Sequence, residues 1–336
     1  MIPSPSAAND RQAALSLAVK ALEAGREVAL VTVLETYGSA PRRPGSLWVI
    51  VDPAGPRSCQ AGSISGGCVE DDLLDWLAAH PDEGQRGKPV ERHFDGTTHP
   101  GLPCGGTLSV LVEWPRQASE LRPALAAVSR RDAVWREVDL ATGRVDFYSI
   151  DGVVPELPSR GENTLAVPFG PAWRLVIIGT GPVAEALGPQ ALSLGFEVDV
   201  CDPRPHADWS VAGVTWHREA PERFFAATGL DARTAVVAVA HDPRLDDLAL
   251  MDALESPAFH VAAMGGAATS RARRDRLVAL GIDTGRLRAP AGLDIGSHTP
   301  AEIAVSMAAE LVAARHLERQ RATARPPVAR HSLDAG

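Results

Sequence analysis

Two glycine-rich segments in the first third of the chain each contain a cysteine. Residues 62–70 read GSISGGCVE and include Cys68, and residues 96–106 read GTTHPGLPCGG and include Cys104. A cysteine near a helix N-terminus has a lowered pKa, which makes its thiolate a better nucleophile and a better ligand for a soft metal. The alternative for each thiol is a small buried residue packed at a tight turn. Two such segments in one chain favour the chemical interpretation.

The first of these segments is also a candidate anion site. Its glycines leave backbone amides uncovered where a predicted strand gives way to a helix, and such amides bind anions. In the structural interpretation, Glu70 only complements the positive end of the helix dipole. The preceding loop contains Arg42 and Arg43, which either clamp a phosphate between them or remain solvated on the surface.

The second half of the chain carries a dinucleotide-binding pattern. Residues 179–184 read GTGPVA, a GxGxxA between a strand pattern and a helix pattern, so Gly179 and Gly181 would let a pyrophosphate approach the backbone. Asp202 follows after about 20 residues, where a carboxylate binds a ribose hydroxyl. Glycines at these positions also serve close packing without any ligand. His241, after a later strand, is either a ligand contact or part of a satisfied loop.

Composition and charge indicate which partners and which cellular compartment to expect. The 336 residues include 33 basic and 42 acidic side chains, a formal net charge of −9 that disfavours broad contact with nucleic acid or an anionic membrane. The sequence shows neither a signal-peptide pattern nor an apolar run long enough to span a membrane, and its four cysteines do not suggest a disulfide framework. We therefore expect a cytoplasmic protein with reduced thiols and without nucleic acid or membrane partners.

The elements that must position these residues follow two patterns. Up to residue 150, short β-branched strands alternate with glycine-rich loops and amphipathic helices, which predicts a mixed α/β (α+β) domain over residues 9–150. Residues 151–172 are rich in proline, glycine and polar residues, which predicts an interdomain linker. Strands then alternate with helices, which predicts a Rossmann-like, doubly wound parallel-sheet domain over residues 173–320. The remaining residues, 321–336, are expected to form a flexible tail.

These motifs together resemble one protein family. The segments VTVLETYGSAPRRPGSLWVI, GSISGGCVE and PCGGTLSVLVE are similar to the N-terminal domain of the XdhC/CoxI family, the xanthine dehydrogenase accessory proteins. The segments VIIGTGPVAEAL, VDVCDPR, AHDPRLDDLAL and RLRAPAGLDIGSHTPAEIAVSMAAEL are similar to its Rossmann-type C-terminal domain. The resemblance extends roughly over residues 14–315, with the motifs in the same order.

The resemblance implies a chaperone for the molybdenum cofactor, in which molybdopterin, a phosphate-bearing pterin, holds molybdenum through a dithiolene. Such a protein protects the cofactor, holds it while a cysteine desulfurase installs a sulfido ligand, and delivers it to a xanthine dehydrogenase-type molybdenum hydroxylase, without turnover of its own. The resemblance also implies cofactor contacts at the matching N-terminal motifs, with Cys68 and Cys104 as candidate molybdenum ligands. The contact residues are Arg42, Arg43, Ser65, Gly66, Gly67, Cys68, Glu70, Cys104 and Gly105.

An alternative function stays open at the level of sequence. The GxGxxA site would also suit an NAD(P)-dependent oxidoreductase, for which His241 is the candidate proton donor. Arg204 would then favour a 2′-phosphate, unless it is a solvated surface residue. Whether the Rossmann-like domain binds NAD(P), another nucleotide or neither is left open, as is homodimerisation. The cofactor-binding candidates in this domain are Gly179, Gly181, Asp202 and His241.

Overall fold

The computed structural model of the protein describes residues 7–37, 42–53, 55, 58–67, 69–80, 87–95, 106–150, 152 and 154–324. The chain forms two compact units, Ala7–Pro171 and Ala172–Arg321, called the N-terminal and C-terminal units below. The first is a mixed α/β unit and the second contains a parallel sheet, which confirms the predicted fold class. Within the ranges given above, no helix is both long and apolar enough to cross a membrane.

The N-terminal unit contains a five-stranded antiparallel sheet with a helix on each face. Its elements are α1 (Ala7–Glu23), β1 (Val28–Tyr37), β2 (Leu47–Val51), β3 (Cys59–Gly62), α2 (Glu70–Ala79), β4 (Val90–Asp95) and β5 (Thr107–Glu113). The strand order is β3-β2-β1-β5-β4. Alternate residues of β1 enter two separate cores, Val28 and Leu30 beside α1, and Ala29 and Val31 beside α2. Burial of both faces explains why β1 is apolar over most of its length.

A four-stranded antiparallel sheet completes the N-terminal unit. Its strands, together with the helix before them, are α3 (Arg122–Arg130), β6 (Val134–Asp139), β7 (Val145–Ser149), β8 (Ser159–Arg160) and β9 (Thr164–Phe169). The order is β7-β6-β9-β8. The strands β6 and β7 form a hairpin that turns through Thr142 and Gly143, where Gly143 has a φ of +78°.

The predicted linker over residues 151–172 differs from the structure. Two of its segments are the strands β8 and β9, and β9 is paired with β6 along its length. Leu165, Val167 and Phe169 of β9 are buried in the same core as α1, which fixes the strand in the sheet. The proline and glycine content around this short apolar run indicated a linker, but burial of alternate side chains decides the conformation.

The C-terminal unit is a doubly wound parallel sheet. Its strands and helices are β10 (Arg174–Ile178), α4 (Pro182–Ser193), β11 (Glu197–Cys201), β12 (Thr215–His217), α5 (Pro221–Thr228), β13 (Thr234–Ala238), α6 (Pro243–Glu255), β14 (His260–Ala263), α7 (Ala267–Ala279), β15 (Leu287–Arg288) and α8 (Pro300–Ala324). The order β12-β11-β10-β13-β14-β15 reverses direction between β10 and β13, which creates a crevice at the carboxyl ends of these strands. The first residues of the predicted tail, 321–324, are the last turn of α8.

Candidate functional site

Three loops that the sequence singles out leave the same end of the five-stranded sheet. Tyr37 at the end of β1 pairs with Thr107 at the start of β5, and Thr107 also pairs with Asp95 at the end of β4. Leu47 at the start of β2 and Gly62 at the end of β3 lie toward the same end, although β1 and β5 extend beyond them. The two cysteine-containing segments and the arginine loop therefore begin and end on one side of this sheet.

The first glycine-rich segment makes a turn that its glycines permit. Gly62 has a φ of +83°, and a Cβ there would overlap the carbonyl oxygen of Leu47 on β2. Gly66 and Gly67 have φ values of +78° and +104°, in the left-handed region that favours glycine. The chain can therefore turn tightly from β3 into α2, as the sequence predicts.

Glu70, the first residue of α2, is the main hydrogen-bond acceptor of this turn. Its carboxylate accepts six hydrogen bonds through both oxygens. Burial alone would raise the pKa of Glu70, but hydrogen bonds from Ser65 and Ser63 outweigh it and lower the pKa to about 2. The donors are Ser63 Oγ at 2.7 Å, Ile64 N at 3.1 Å, Ser65 N at 2.9 Å, Gly67 N at 3.0 Å, Val69 N at 3.3 Å and Ser65 Oγ.

The anion in the predicted amide cradle is thus a carboxylate of the protein itself. An external phosphate would compete with Glu70 for the same amides, so this geometry makes Glu70 the residue that orders the loop. Ser65 is buried, and its hydroxyl also accepts a hydrogen bond from the amide of Val69 at 3.0 Å. The sequence interpretation missed Ser63, although two serines spaced before an acidic helix start were a usable signal.

Arg42 and Arg43 have different environments. Arg42 Nη1 lies 3.1 Å from Asp10 Oδ2 on α1, so its charge is already balanced within the N-terminal unit. The Arg43 side chain is exposed and has no partner within the described part of the chain. The two arginines therefore differ in their contacts within the described residues, and the phosphate clamp stays a prediction.

Two thiols that the sequence proposes as ligands, Cys68 and Cys104, lie outside the described residues, as does Gly105. Of the thiols that are described, Cys201 ends β11 and donates a hydrogen bond to the carbonyl oxygen of Glu219 at 3.1 Å. Burial raises the pKa of Cys201 to about 12, so it is an unreactive thiol. In the part of the chain that the structure covers, no group of three or more His, Cys, Asp or Glu side chains could hold a metal ion.

The GxGxxA turn joins β10 to α4 where the sequence predicts it. Gly179 has a φ of +104°, and a Cβ there would lie 2.6 Å from Cα of Ala240 in the loop after β13. Gly179 therefore permits close packing of two neighbouring strand ends. Gly181 precedes α4 with a φ of −110°, and a Cβ there would meet nothing within 4 Å. Of these two glycines, Gly181 is the one with open space beside its backbone.

Asp202 directly follows β11, as predicted, and its side chain is fully buried. The carboxylate accepts hydrogen bonds from N and Oγ1 of Thr180, both at 2.9 Å. It also accepts three from Arg204, from N at 3.1 Å, Nε at 2.8 Å and Nη2 at 2.6 Å. Burial alone would raise the pKa of Asp202, but the hydrogen bonds from Arg204 and Thr180 outweigh it and lower the pKa. The ionised carboxylate is thus used within the chain.

His241 lies in the loop between β13 and α6, exposed and with a φ of +58°. The next residue, Asp242, caps α6 by accepting a hydrogen bond from the amide of Arg244 at 3.0 Å. The loop places His241 at the crevice edge of the sheet, but its described contacts do not hold the ring in one orientation.

A buried ion network behind this loop was missed by the sequence interpretation. Asp246 Oδ1 accepts a hydrogen bond from the amide of Ala240 at 3.1 Å, and Asp246 Oδ2 lies 3.1 Å from Arg273 Nη2. Arg273 also donates to Asp247 at 3.0 Å and to the carbonyl oxygen of Met264 at 2.9 Å. The network joins the loops after β13 and β14, so it has a structural role. An Asp-Asp pair in a helical pattern gives no signal of this burial.

Two family models match the chain, one in each unit. The model described as the XdhC and CoxI family matches residues 21–94, which include the first glycine-rich segment. The model described as the XdhC Rossmann domain matches residues 175–311, which include the GxGxxA turn, Asp202 and His241. Both matches therefore fall on the motifs described above.

Two relatives and one solved structure match most of the chain. The molybdenum cofactor insertion chaperone PaoD of Escherichia coli (strain K12) is 27% identical over 328 residues, which are 95% of this chain and 93% of PaoD. A probable xanthine dehydrogenase subunit of Bacillus subtilis (strain 168) is 27% identical over 331 residues, 88% of this chain and 95% of that protein. The crystal structure of a xanthine dehydrogenase from Bacillus halodurans covers 93% of this chain and 98% of its own, with a TM-score of 0.65 and 23% identity. This last likeness shows the fold alone.

Proposed function

Because the chain belongs to the XdhC and CoxI family, we propose that it is a chaperone that binds and protects the molybdenum cofactor, supports its sulfuration and delivers it to a xanthine dehydrogenase-type hydroxylase. The relative PaoD is named a molybdenum cofactor insertion chaperone and matches nearly all of both chains. In this proposal the cofactor is cargo, and the protein performs no turnover of its own.

The observation that carries the proposal is the shared position of the three motif loops. Two loops that each contain one cysteine leave the same end of the five-stranded sheet, together with the loop of Arg43. A dithiolene-bound molybdenum is a soft centre, for which cysteine thiolates are suitable ligands. The phosphate of the pterin needs a cation, and the Arg43 side chain has no partner in the described part of the chain.

Glu70 has a different task in this proposal from that of the cysteines. Its six hydrogen bonds come from residues 63–65, from Gly67 and from Val69, which flank Cys68 in sequence. In this proposal, ordering these neighbours reduces the entropy lost when Cys68 binds its ligand. Ser65, Gly66 and Gly67 contribute by forming the turn. We propose Cys68 and Cys104 as the ligating residues and Arg43 as the phosphate contact.

The alternative function, an NAD(P)-dependent oxidoreductase, has weaker support. It needs the Asp202 carboxylate for a ribose hydroxyl, whereas this carboxylate already accepts five hydrogen bonds from Thr180 and Arg204. It also needs a fixed proton donor, and the described contacts do not fix His241.

For the chaperone we propose a molybdenum hydroxylase and a cysteine desulfurase as partners, with a homodimer as a further proposal.

The experiment is a cofactor-binding assay with the full chain under anaerobic conditions. We expect the purified protein to take up molybdenum cofactor, measured as protein-bound molybdenum and as pterin fluorescence after oxidation. The Cys68→Ala/Cys104→Ala variant should bind at least tenfold more weakly, since one lost metal ligand commonly costs more than about 1.4 kcal/mol. Cys59→Ala is the matched control, because Cys59 lies in the same sheet at the end of β3 away from the loops.

Two outcomes would overturn different parts of the proposal. If the wild-type protein binds no cofactor, the proposed function is wrong. If the double variant binds as tightly as wild type and Cys59→Ala, the chaperone function stands but ligation by these thiols is wrong. Delivery is tested by adding the loaded protein to cofactor-free hydroxylase and measuring recovery of hydroxylase activity against free cofactor.

A further inference from the structure

A Rossmann-like sheet implies a dinucleotide at the crevice where its strand order reverses. In this protein the crevice lies between the ends of β10 and β13. A dinucleotide there needs room beside the glycine turn and a carboxylate whose oxygens can accept hydrogen bonds from a ribose. Both requirements can be tested against the residues of this chain.

The carboxylate requirement is not met. A carboxylate has about four lone-pair positions, and Asp202 already accepts five hydrogen bonds, two from Thr180 and three from Arg204. Its side chain is 0% exposed, so a ribose hydroxyl cannot reach it without displacing one of these partners. The residue that should recognise the ribose therefore does not fit that role.

The room beside Gly179 is also taken, although the backbone of Gly181 has open space beside it. Besides its contacts with Asp202, Arg204 donates from Nη1 to the carbonyl oxygen of Ala240 at 3.2 Å. Asp202 follows β11 and Ala240 follows β13, and β10 lies between these strands in the sheet. The guanidinium thus joins the loops on both sides of β10, in front of the strand end where Gly179 packs against Ala240.

We propose that Arg204, held by Asp202 and Ala240, is a plug that closes the Rossmann crevice against nicotinamide dinucleotides. The plug replaces the ribose as the partner of the carboxylate and places a cation across the entrance to the glycine turn. The crevice of this protein is closed by its own side chain, and the Rossmann fold serves here without NAD(P).

A second turn in the same unit provides an internal control. Residues 202–204 and residues 242–244 both read Asp-Pro-Arg after a strand of the parallel sheet. Asp242 also accepts hydrogen bonds from N, Nε and Nη2 of Arg244, at 3.0, 3.1 and 3.0 Å. Local sequence therefore sets the aspartate–arginine pairing in both turns. The two arginines differ in burial: the Arg244 side chain is 90% exposed and the Arg204 side chain is 25% exposed.

The test is a titration of the full chain with NADH and NADPH, followed by nucleotide fluorescence and calorimetry. We expect no saturable binding to the wild-type protein at millimolar nucleotide. Arg204→Ala removes the plug and the two hydrogen bonds from Nε and Nη2, which leaves Asp202 with three donors and an open acceptor position, so this variant should show saturable binding. Arg204→Met is the second variant, since it keeps the apolar stem and removes only the charged group. Arg244→Ala is the matched control and should behave like wild type.

Each outcome decides the proposal. Saturable binding to wild type at millimolar nucleotide or below would overturn it, because the crevice would then be open. Failure of both Arg204→Ala and Arg204→Met to gain binding, with native circular dichroism and cooperative unfolding in at least one of them, would also overturn it. If an Arg204 variant gains saturable nucleotide binding and Arg244→Ala does not, the result supports the plug. None of these results depends on whether the chain binds the molybdenum cofactor.

Discussion

The two glycine-rich turns of this protein share the order strand, glycine turn, helix. They differ in which carboxylate accepts hydrogen bonds from their backbone amides. In each, a strand leads through glycines, at least one of which has a positive φ, into the start of a helix. In the N-terminal unit, Glu70 accepts four backbone amides of its own loop. In the C-terminal unit, Asp202 comes from the neighbouring strand and accepts one amide of the turn, that of Thr180. A glycine turn at a helix start therefore predicts where an anion lies, but not which group supplies it.

The difference also separates the tasks of the two units. Glu70 orders a loop that begins at the same end of the sheet as two other motif loops, which together form the binding surface that we propose. Asp202 and Arg204 instead connect the carboxyl ends of three strands, β10, β11 and β13. The C-terminal turn therefore stabilises this end of the parallel sheet. Substitutions in both turns test this contrast, and the strongest of them lies in the C-terminal unit.

The largest effect is expected at the glycine that packs two strand ends together. Gly179→Ala should lower the free energy of unfolding by about 3 kcal/mol, because it adds an overlap with Ala240 to the strain of a positive φ. Gly181→Ala is the control and should lower it by less than about 1 kcal/mol, since its φ is negative, the space is open and only the poorer helix capping by alanine remains as a cost. Urea unfolding monitored by circular dichroism measures both. Equal effects would show that the turn is not closed by packing.

A smaller effect is expected from removing the charge of Glu70. Glu70→Gln keeps the side-chain shape but donates from its amide nitrogen, so several loop donors lose their acceptor, and we expect a loss of about 2 kcal/mol. Glu120→Gln is the control, because Glu120 caps the amides of Arg116 and Gln117 in an arrangement that glutamine also satisfies. Amide hydrogen exchange of residues 63–69 should increase in the first variant and not in the second. If hydrogen exchange is unchanged in both variants, Glu70 does not order this loop.

The stability of the N-terminal unit should depend on pH through the ionisation of Glu70. The folded-state pKa of Glu70 is about 2, below the ordinary value of 4.5. The ionised carboxylate therefore adds stability above pH 4.5, and this contribution is lost as the pH falls toward 2. Since Glu70 is only half-buried, we expect the loss to be about 1 kcal/mol. Comparing wild type with Glu70→Gln between about pH 5 and pH 2.5 isolates it, and parallel curves would contradict the assignment.

Much of this fold could be predicted from sequence, and the reason is periodicity. The strand, glycine and helix pattern from Arg174 to Ser193 predicts β10, the turn and α4 because each signal is local. The convergence of the motif loops could not be predicted, since it depends on the strand order β3-β2-β1-β5-β4. The burial of Arg204 could not be predicted for the same reason, because Arg244 pairs locally in the same way but stays exposed, whereas Arg204 also contacts Ala240.

The smallest predicted effect concerns Gly67, and it separates backbone strain from packing in the N-terminal turn. Gly67 has a φ of +104°, yet a Cβ there would meet nothing within 4 Å. Gly67→Ala should therefore lower the free energy of unfolding by only about 1 kcal/mol, the cost of a left-handed backbone for alanine. If cofactor binding falls at least tenfold in this variant while urea unfolding changes little, the turn's conformation matters to the ligand. If binding and stability fall together in proportion, the turn serves the fold alone, and the contrast between the two turns would disappear.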